Sequence, residues 1–315
     1  LLRPRSRRPP PAVRAERDFP AMGSSARVVV LGGPPGLDRR AEDRIADLES
    51  RWSRFRPQSE LSRLNESPHG RPTLVSGDTF ALIERAVQAW KLTDGRYDPT
   101  VHDALVANGY DRTFSALHAE AEVDPDGRAP DAPQPAPGCS GVELDARLCS
   151  VTLPPGTRID PGGIGKGLAA DLVATELLAA GAEGVLVDLG GDVRVTGIGP
   201  HDGDWVVDVE HPLHGDRALL HVLLHDAGIA TSSRLRRRWH RNGVPRHHLL
   251  DPATGRSTIG TIVAATVVAG EAWWAEALTK AAFVGGLEAV TGASVLLVHD
   301  DDTCTGTPDL LEMAA

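Results

Sequence analysis

Residues 160–171 read DPGGIGKGLAAD, and this glycine-rich run places the strongest constraint on how the chain folds. Four glycines surround Lys166 and lead into a stretch rich in Ala and Leu, which is typical of a tight turn that opens a helix. Backbone N–H groups at such a helix start can bind an anion, and Lys166 would add a full positive charge. A glycine-rich turn that merely begins an ordinary helix explains the same letters.

Two standard nucleotide loops do not match the run. A Walker-type loop places Ser or Thr after its Gly-Lys pair, whereas Gly167 follows Gly165 and Lys166. A dinucleotide fingerprint follows a buried strand, but Asp160 and Pro161 stand where that strand would end. Any phosphate bound here is therefore held by another kind of site.

Size and charge limit the classes of protein that remain. With 315 residues, 41% of them apolar, the chain can form one large domain or two intimate ones with ample core. A net charge of −10 argues against a general nucleic-acid binder. Lysine is scarce, since Lys91, Lys166 and Lys280 are the only three among 33 basic residues.

Cysteine usage and the N-terminal composition bear on location. Cys139, Cys149 and Cys304 have no metal-ligand spacing and leave one cysteine over in any disulfide scheme, which favours a reduced, cytoplasmic setting. No apolar run is long enough to span a bilayer, so we expect no transmembrane segment. Residues 1–18 are basic and proline-rich, and we expect a disordered lead-in rather than a signal peptide. Because the first residue is Leu, a longer natural N-terminus, and with it export, stays open.

Hydrophobic periodicity predicts a mixture of helices and strands. Helices are expected at 39–55, 80–95, 167–181 and 270–286, and strands at 26–33, in two pieces within 184–197, and in four later apolar runs. Residues 121–140 are dense in Pro, Asp and Ala, which indicates an exposed loop. Long helices alternate with strand pairs rather than with single strands, so the predicted class is α+β.

Eight stretches then occur in one order: AMGSSARVVV (21–30), WSRFRPQSELSRLN (52–65), DGRYDPTV (94–101), DPGGIGKGLAAD (160–171), VDLGGDV (187–193), ATSS (230–233), HHLLDPATGR (247–256) and AEALTKAAFVGG (275–286). Together they resemble the ApbE family of FAD:protein FMN transferases, from residue 19 to the end. The resemblance implies a single α+β domain over 19–315. Its two α/β halves would pack intimately, with mixed, largely antiparallel sheets and the flavin site between them.

The resemblance also implies an activity. Enzymes of this family use magnesium to cleave the pyrophosphate of FAD, attach FMN through a phosphoester to a Ser or Thr of a partner flavoprotein, and release AMP. Two alternatives remain: a protein that binds or stores FAD without transfer, and a pyrophosphatase that yields FMN and AMP. The implied partners are FAD and an acceptor protein, with no nucleic acid.

The resemblance also implies roles for individual residues of this chain, at the positions that match the family's motifs. Those implied to bind FAD are Met22, Phe55, Arg96, Tyr97, Asp98, Asp160, Lys166 and Leu250. His248 is implied to lie near the reacting phosphate, while Gly163, through its carbonyl, Glu276 and Thr279 are implied to hold the metal. From the residues alone, His248 can be a base for the acceptor hydroxyl or a structural histidine, and Asp98 and Asp251, each before a proline, can be purely architectural.

Two positions depart from the family pattern. The family has Asp, then Thr four residues later, where this chain has Glu276 and Lys280. A protonated lysine cannot ligate a hard cation, so we hypothesise that Lys280 partly replaces magnesium and acts with Glu276 in catalysis, while Thr279 and Glu276 retain a displaced ion. An ordinary Glu–Lys pair on the helix surface is the alternative. Ser233 stands where the family usually has Gly, which is expected to reshape a tight turn.

Overall fold

The computed structural model describes residues 14–119, 133–215, 217–241 and 243–314. The helices are α1 (Leu37–Trp52), α2 (Glu60–Glu66), α3 (Gly77–Leu92), α4 (His102–Ala107), α5 (Phe114–Ala119), α6 (Gly165–Ala179), α7 (Ala272–Gly285) and α8 (Pro308–Ala314). The strands are β1 (Arg14–Ala21), β2 (Ser24–Leu31), β3 (Thr73–Leu74), β4 (Glu143–Asp145), β5 (Ser150–Thr152), β6 (Gly184–Leu189), β7 (Asp192–Gly197), β8 (Trp205–Glu210), β9 (Ala218–Leu224), β10 (Ala227–Ser233), β11 (Arg238–Arg241), β12 (Val244–His247), β13 (Leu250–Asp251), β14 (Arg256–Ser257), β15 (Ile262–Ala269), β16 (Ser294–His299) and β17 (Cys304–Gly306).

One eight-stranded sheet organises the protein. Its strand order is β1-β2-β6-β7-β10-β15-β16-β17, and every neighbouring pair in it is antiparallel. The helices and strands predicted from periodicity form close to the expected positions, for example α3, after which Gly95 adopts φ 74. The predicted α+β class is confirmed, with a main sheet that is antiparallel throughout rather than only largely so.

The two faces of this sheet carry different layers. In β2, Val28 and Val30 pack with α1, α6 and α7, whereas the alternate residues Val29 and Leu31 pack with β8, β9 and α8. This division follows from the two-residue period of a strand, whose successive side chains point to opposite faces. The helices that carry the candidate site residues therefore all lie on one side of the sheet.

A second, smaller core lies beside the main one. Residues of α2, α3 and the β3-β5-β4 sheet enclose it, including Leu61, Ile83 and Val151, all with no exposed area. The chain passes from this small core into Ile159, also fully buried, immediately before the DPGG turn. The turn is thus anchored at its N-terminal side by packed apolar residues.

The predicted disordered lead-in, residues 1–18, is wrong over its last part. Residues 14–18 form most of the first strand, which pairs along its whole length with β2. Its alternate residues are exposed, as suits an edge strand, and this polar composition hid the strand from sequence inspection. Residues 1–13 lie outside the described residues.

The predicted loop at 121–140 is only partly described. Residues 120–132 lie outside the described residues, and 133–140 form no helix or strand. This described part is held down, since Ala136 N donates to Pro252 O at 2.8 Å and the Cys139 side chain is buried. No helix among the described residues has the length and apolar character needed to cross a membrane.

Helices α6 and α7 touch where both begin. A Cβ added to Gly167 would lie 2.4 Å from the Ala272 carbonyl oxygen, a contact that only glycine permits. Asp171, one turn further along α6, accepts hydrogen bonds from Ala272 N at 3.0 Å and Trp273 N at 2.9 Å. It therefore caps the start of α7 from another helix and fixes how the two helices face each other.

We expect Gly167→Ala to lower the free energy of unfolding by about 1–3 kcal/mol, because the added methyl group overpacks this helix contact. Gly165→Ala is the matched control, since a Cβ there would lie an ordinary 3.5 Å from Pro161. Chemical denaturation of both variants gives the comparison. Equal stability of the two variants would contradict the close-contact argument.

Candidate functional site

Two of the three lysines meet at one buried carboxylate where α6 and α7 begin. The Glu276 side chain has no exposed area, and its Oε1 lies 3.5 Å from Lys280 Nζ and 3.7 Å from Lys166 Nζ. Its Oε2 accepts a hydrogen bond of 2.8 Å from Gly167 N. Lys166 also forms an ion pair with Asp192, which is 2% exposed at the start of β7. This lysine–carboxylate cluster combines two positive and two negative groups.

Burial works against the charged state of both lysines. It lowers the pKa of Lys166 to about 8, helped by the positive charge of Lys280 and opposed by the negative charge of Glu276. It likewise lowers the pKa of Lys280, again opposed by Glu276. An incoming anion would favour the charged form of both ammonium groups. The cluster is thus suited to receive further negative charge.

The backbone of the DPGG turn is largely occupied by its own contacts. Ile164 N and Gly165 N donate to Pro161 O, at 3.1 and 2.7 Å. Gly162 N donates to Asp160 Oδ1 at 2.8 Å. These glycines therefore shape a tight turn at the start of α6, and the cationic groups on offer to an anion are the lysine side chains.

Tyr97 adds a polar atom without a partner. The residue is 3% exposed, and its hydroxyl group is buried with no hydrogen-bond partner among the described residues. A Cβ on Gly163 would lie 2.8 Å from the Tyr97 ring and 3.6 Å from Lys280 Cε, so the three residues adjoin. Burial and the negative charge of Glu276 raise the pKa of Tyr97 well above its usual range, which keeps the hydroxyl protonated and able to donate.

An aromatic wall adjoins the turn on the side of Asp160. Arg54 Nε lies 2.7 Å from Asp160 Oδ2, and both side chains are more than 90% buried. The Arg54 guanidinium also stacks on the rings of Phe55 and Tyr110, at 4.2 and 4.7 Å from their centroids. Leu250 belongs to the same apolar cluster, together with Trp239. The structure therefore brings the predicted residues Phe55, Asp160 and Leu250 to one region.

The other residues that the resemblance implies bind FAD, Met22, Arg96 and Asp98, lie outside this aromatic wall or make contacts within their own turn. Met22, with φ 49, packs against the main core, and its N–H donates to Glu49 at 2.9 Å. The Arg96 guanidinium donates to Thr93 O at 3.3 Å and passes close to Gly285, at the far end of α7 from Glu276. Asp98 accepts from Thr100 N and Oγ1, at 2.8 and 2.6 Å. Its contacts are those of an architectural turn residue.

His248 lies close enough to this centre to feel its positive charges. Its residue is partly exposed, but its Nδ1 is enclosed without a hydrogen-bond partner among the described residues. Burial, with the positive charges of Arg237 and Lys280, holds the pKa of His248 well below its usual range, so the ring is neutral. Asp251 accepts from Ala253 N at 3.0 Å and Thr254 Oγ1 at 3.1 Å, which is a turn role.

Two of the three predicted metal ligands, Glu276 and Thr279, do not present oxygens that fit magnesium. Both Glu276 oxygens face other groups, and two ammonium groups approach Oε1 within 4 Å. Thr279 Oγ1 donates to Glu276 O and lies 2.7 Å from the buried Ser232 hydroxyl. Magnesium requires near-octahedral oxygen ligands, which this arrangement of cations obstructs.

Ser233 does not distort its turn. Its φ is not in the left-handed region, its Oγ donates to Val263 O at 3.1 Å, and it accepts from Leu235 N at 3.1 Å. The hydroxyl group thus satisfies backbone groups at the end of β10. A hydroxyl with two good backbone contacts needs no rearrangement of the turn, so the reshaping expected from this departure is not observed.

Three charged residues at the site were not singled out from sequence. Arg54 and Asp192 lie inside motifs that were recognised, WSRFRP and VDLGGDV, but one arginine among many and one acid after a glycine pair carry no distinctive local signal. Arg237 sits in an arginine run and reaches Gly23 O at 3.3 Å and Tyr110 Oη at 3.4 Å. A search for motif residues that could pair with Lys166 would have pointed to Asp192.

Comparisons with known proteins agree in family and in fold. The profile described as the ApbE family matches residues 22–296. The FAD:protein FMN transferase of Vibrio cholerae is 27% identical, over 93% of this chain and 90% of that protein, and that of Haemophilus influenzae is 28% identical, over 77% and 70%. A crystal structure of the ApbE protein of Thermotoga maritima is 28% identical and superposes with a TM-score of 0.82, covering 96% of this chain and 100% of that one.

We expect Arg54→Met to lower the free energy of unfolding by about 3–5 kcal/mol, because it leaves Asp160 as an unpaired buried charge. Arg56→Met is the matched control: its partner is Glu49, its side chain is 52% exposed, and a loss below about 1 kcal/mol is expected. Urea denaturation measures both. A double variant with Asp160→Asn should recover part of the loss, and similar losses for Arg54→Met and Arg56→Met would refute the buried pair.

Proposed function

Because the chain belongs to the ApbE family, we propose that it is a flavin transferase that moves FMN from FAD to a Ser or Thr of a partner protein. The observation that carries the proposal is the meeting of Lys166 and Lys280 at the start of α6 and α7, beside the unpartnered Tyr97 hydroxyl. Two partly buried lysines around one fully buried carboxylate are suited to bind the negative charge of a pyrophosphate.

The proposed reaction breaks one bond of the pyrophosphate. The acceptor oxygen forms a bond to the phosphorus of the FMN half, the bond from that phosphorus to the bridging oxygen breaks, and AMP leaves with the oxygen. Negative charge grows on the phosphate oxygens and on AMP. Lys166 and Lys280 would offset that charge, and Tyr97 would donate a hydrogen bond to a phosphate oxygen.

His248 is proposed to receive the proton of the acceptor hydroxyl. A neutral imidazole is required for that role, and burial together with the nearby positive charges keeps His248 neutral. Its Nδ1 has no partner among the described residues, so the ring is not committed to a structural hydrogen bond at that atom.

The flavin is proposed to lie along the aromatic wall. Phe55 and Leu250 present apolar surface there, and a cavity of about 350 Å³ lined in part by Arg54, Phe55 and Pro57 opens beside it. Met22 stands beside Gly23, whose carbonyl oxygen accepts from Arg237, which links this wall to the positive groups. Asp160, held by Arg54, is proposed to position the turn rather than to contact the pyrophosphate.

Lys280 is proposed to supply charge that magnesium supplies in relatives. Its ammonium lies 3.5 Å from Glu276 Oε1, close to the place where a cation held by that carboxylate would sit. Lys166 Nζ lies 3.7 Å from the same oxygen, so Glu276 is already compensated by two cations. Transfer without a metal is therefore supported by the two lysine ammonium groups, which already lie where they neutralise the Glu276 carboxylate.

Incubation with FAD and an acceptor domain tests the transfer itself. We expect a fluorescent flavin band on the acceptor after denaturing electrophoresis, one AMP released per flavin attached, and no band when the acceptor Ser or Thr is replaced by Ala. Free FMN with AMP would indicate a pyrophosphatase, and bound FAD without either product would indicate a storage protein.

Lys166→Met should reduce the rate of transfer by at least 100-fold. Tyr97→Phe should reduce this rate by about 10-fold without loss of stability, since the Tyr97 hydroxyl makes no hydrogen bond within the described part of the free protein.

Chelation tests the replacement of magnesium. We expect the wild-type rate to change less than about two-fold with a chelator, because the lysine charge is fixed by the chain. Lys280→Thr restores the family residue and should lose activity without magnesium and regain part of it with magnesium, whereas Lys280→Met should not be rescued. Loss of wild-type activity by more than 10-fold on chelation would overturn the proposal.

A further inference from the structure

A second cluster of metal-ligand side chains lies on the other face of the sheet. The loop after β8 carries His211 and His214, and the turn between β16 and β17 carries Asp302. His211 Nε2 lies 3.3 Å from Asp302 Oδ1, and His214 Nε2 lies 3.1 Å from Asp302 Oδ2. The two imidazole rings are 4.6 Å apart between centroids. Both rings thus direct the same nitrogen at one carboxylate.

We propose that His211, His214 and Asp302 form a zinc-binding site. Imidazole nitrogen and carboxylate oxygen are zinc ligands, with bonds of about 2.0–2.2 Å. In a tetrahedral complex the ligand atoms are then separated by about 3.3 Å. Each Nε2 lies near this distance from one of the two Asp302 oxygens, at 3.3 Å from Oδ1 for His211 and 3.1 Å from Oδ2 for His214. With one ligand atom taken from each residue, the three atoms all lie within 4.8 Å of one another, so they would close in slightly around the ion. Water takes the fourth position.

The surroundings hold the three ligands in place. Pro212 stiffens the backbone between the histidines, and the His211 side chain is only 11% exposed. The neighbouring acids of the Asp302 turn are engaged elsewhere: Asp300 faces Arg234 at 3.4 Å, and Asp301 accepts from Thr303 N and Oγ1. Asp302 is therefore the acid of this turn that faces the histidines.

A hydrogen-bonded pair of histidines is the competing explanation. Leu213 N donates to His211 Nδ1 at 3.3 Å, so in the free protein the ring proton sits on Nε2 and points to Asp302. Zinc takes the place of the proton on Nε2 of each ring. In neutral His211 that same proton moves to Nδ1, so the long contact from Leu213 opens. The cost is this weak hydrogen bond and the two histidine contacts to Asp302, against three new bonds to the ion.

Zinc at this position would tie the loop that joins β8 to β9 to the turn between β16 and β17, two segments separated by about 90 residues of sequence. The loop with His211 and His214 joins β8 to β9, which pack on the face of the sheet opposite α6 and α7, so we expect zinc here to act separately from the proposed transfer. Its expected effect is on stability rather than on the reaction.

The full chain is freed of metal and titrated with zinc chloride in a calorimeter. Its thermal unfolding is then measured with and without zinc. We expect one zinc per chain and a rise in Tm. Cobalt(II) in place of zinc should give the visible absorption of a tetrahedral complex. His214→Ala and Asp302→Asn should weaken zinc binding at least 10-fold and abolish the Tm rise.

His221→Ala is the matched control. His221 pairs with Asp208 at 2.6 Å on the same pair of strands and belongs to no three-residue cluster of His, Cys, Asp or Glu among the described residues. It should leave zinc binding unchanged. Melting without zinc verifies that each variant is folded. No stoichiometric binding, unchanged binding in Asp302→Asn, or equal weakening in His221→Ala would each overturn the proposal.

Discussion

The contact between α6 and α7 at Gly167 is the constraint on which the candidate site depends. A side chain at Gly167 would collide with the carbonyl oxygen of Ala272, so the two helices can meet this closely only because that residue is glycine. At this distance the Gly167 amide reaches Glu276, and Asp171 reaches the first two amides of α7. Lys166 and Lys280, each on its own helix, are thereby brought to the same carboxylate.

Electrostatics explains how Glu276 and Lys280 can lie together in this place. Glu276 is fully buried, and a buried carboxylate is unfavourable unless it is paired and hydrogen-bonded. Compared with Asp, Glu has one more methylene group, and here its carboxylate spans from Lys280 on its own helix to the Gly167 amide on the other. Glu276 and Lys280 therefore support each other: the lysine compensates the buried acid, and the acid favours the charged form of the partly buried lysine.

Local sequence patterns predicted much of the secondary structure but fewer of the contacts in the candidate site. Helix α6 ends just before Gly181, which adopts a positive φ, and α3 is followed by Asp94 and Gly95, both with positive φ. Both helices were visible as periodic segments followed by glycine. Strand β1 was missed because half of its residues face solvent and its only partner is β2. Phe55, Asp160 and Leu250 lie in one region, whereas Arg96 and Asp98 make contacts within their own turn. That these residues bind FAD stays a prediction.

By itself, the sequence determined the helices and strands with strong hydrophobic periodicity, the tight turn before α6, and, through eight ordered motifs, the family. These are local properties, set by backbone sterics and by which side of each element is apolar. Only the tertiary structure decided that Lys166 pairs with Asp192 and shares Glu276 with Lys280, and that Asp171 caps a helix 101 residues away. Such contacts depend on how two elements are rotated and shifted against each other, and that register is fixed by close packing at residues such as Gly167 rather than by any pattern within one segment.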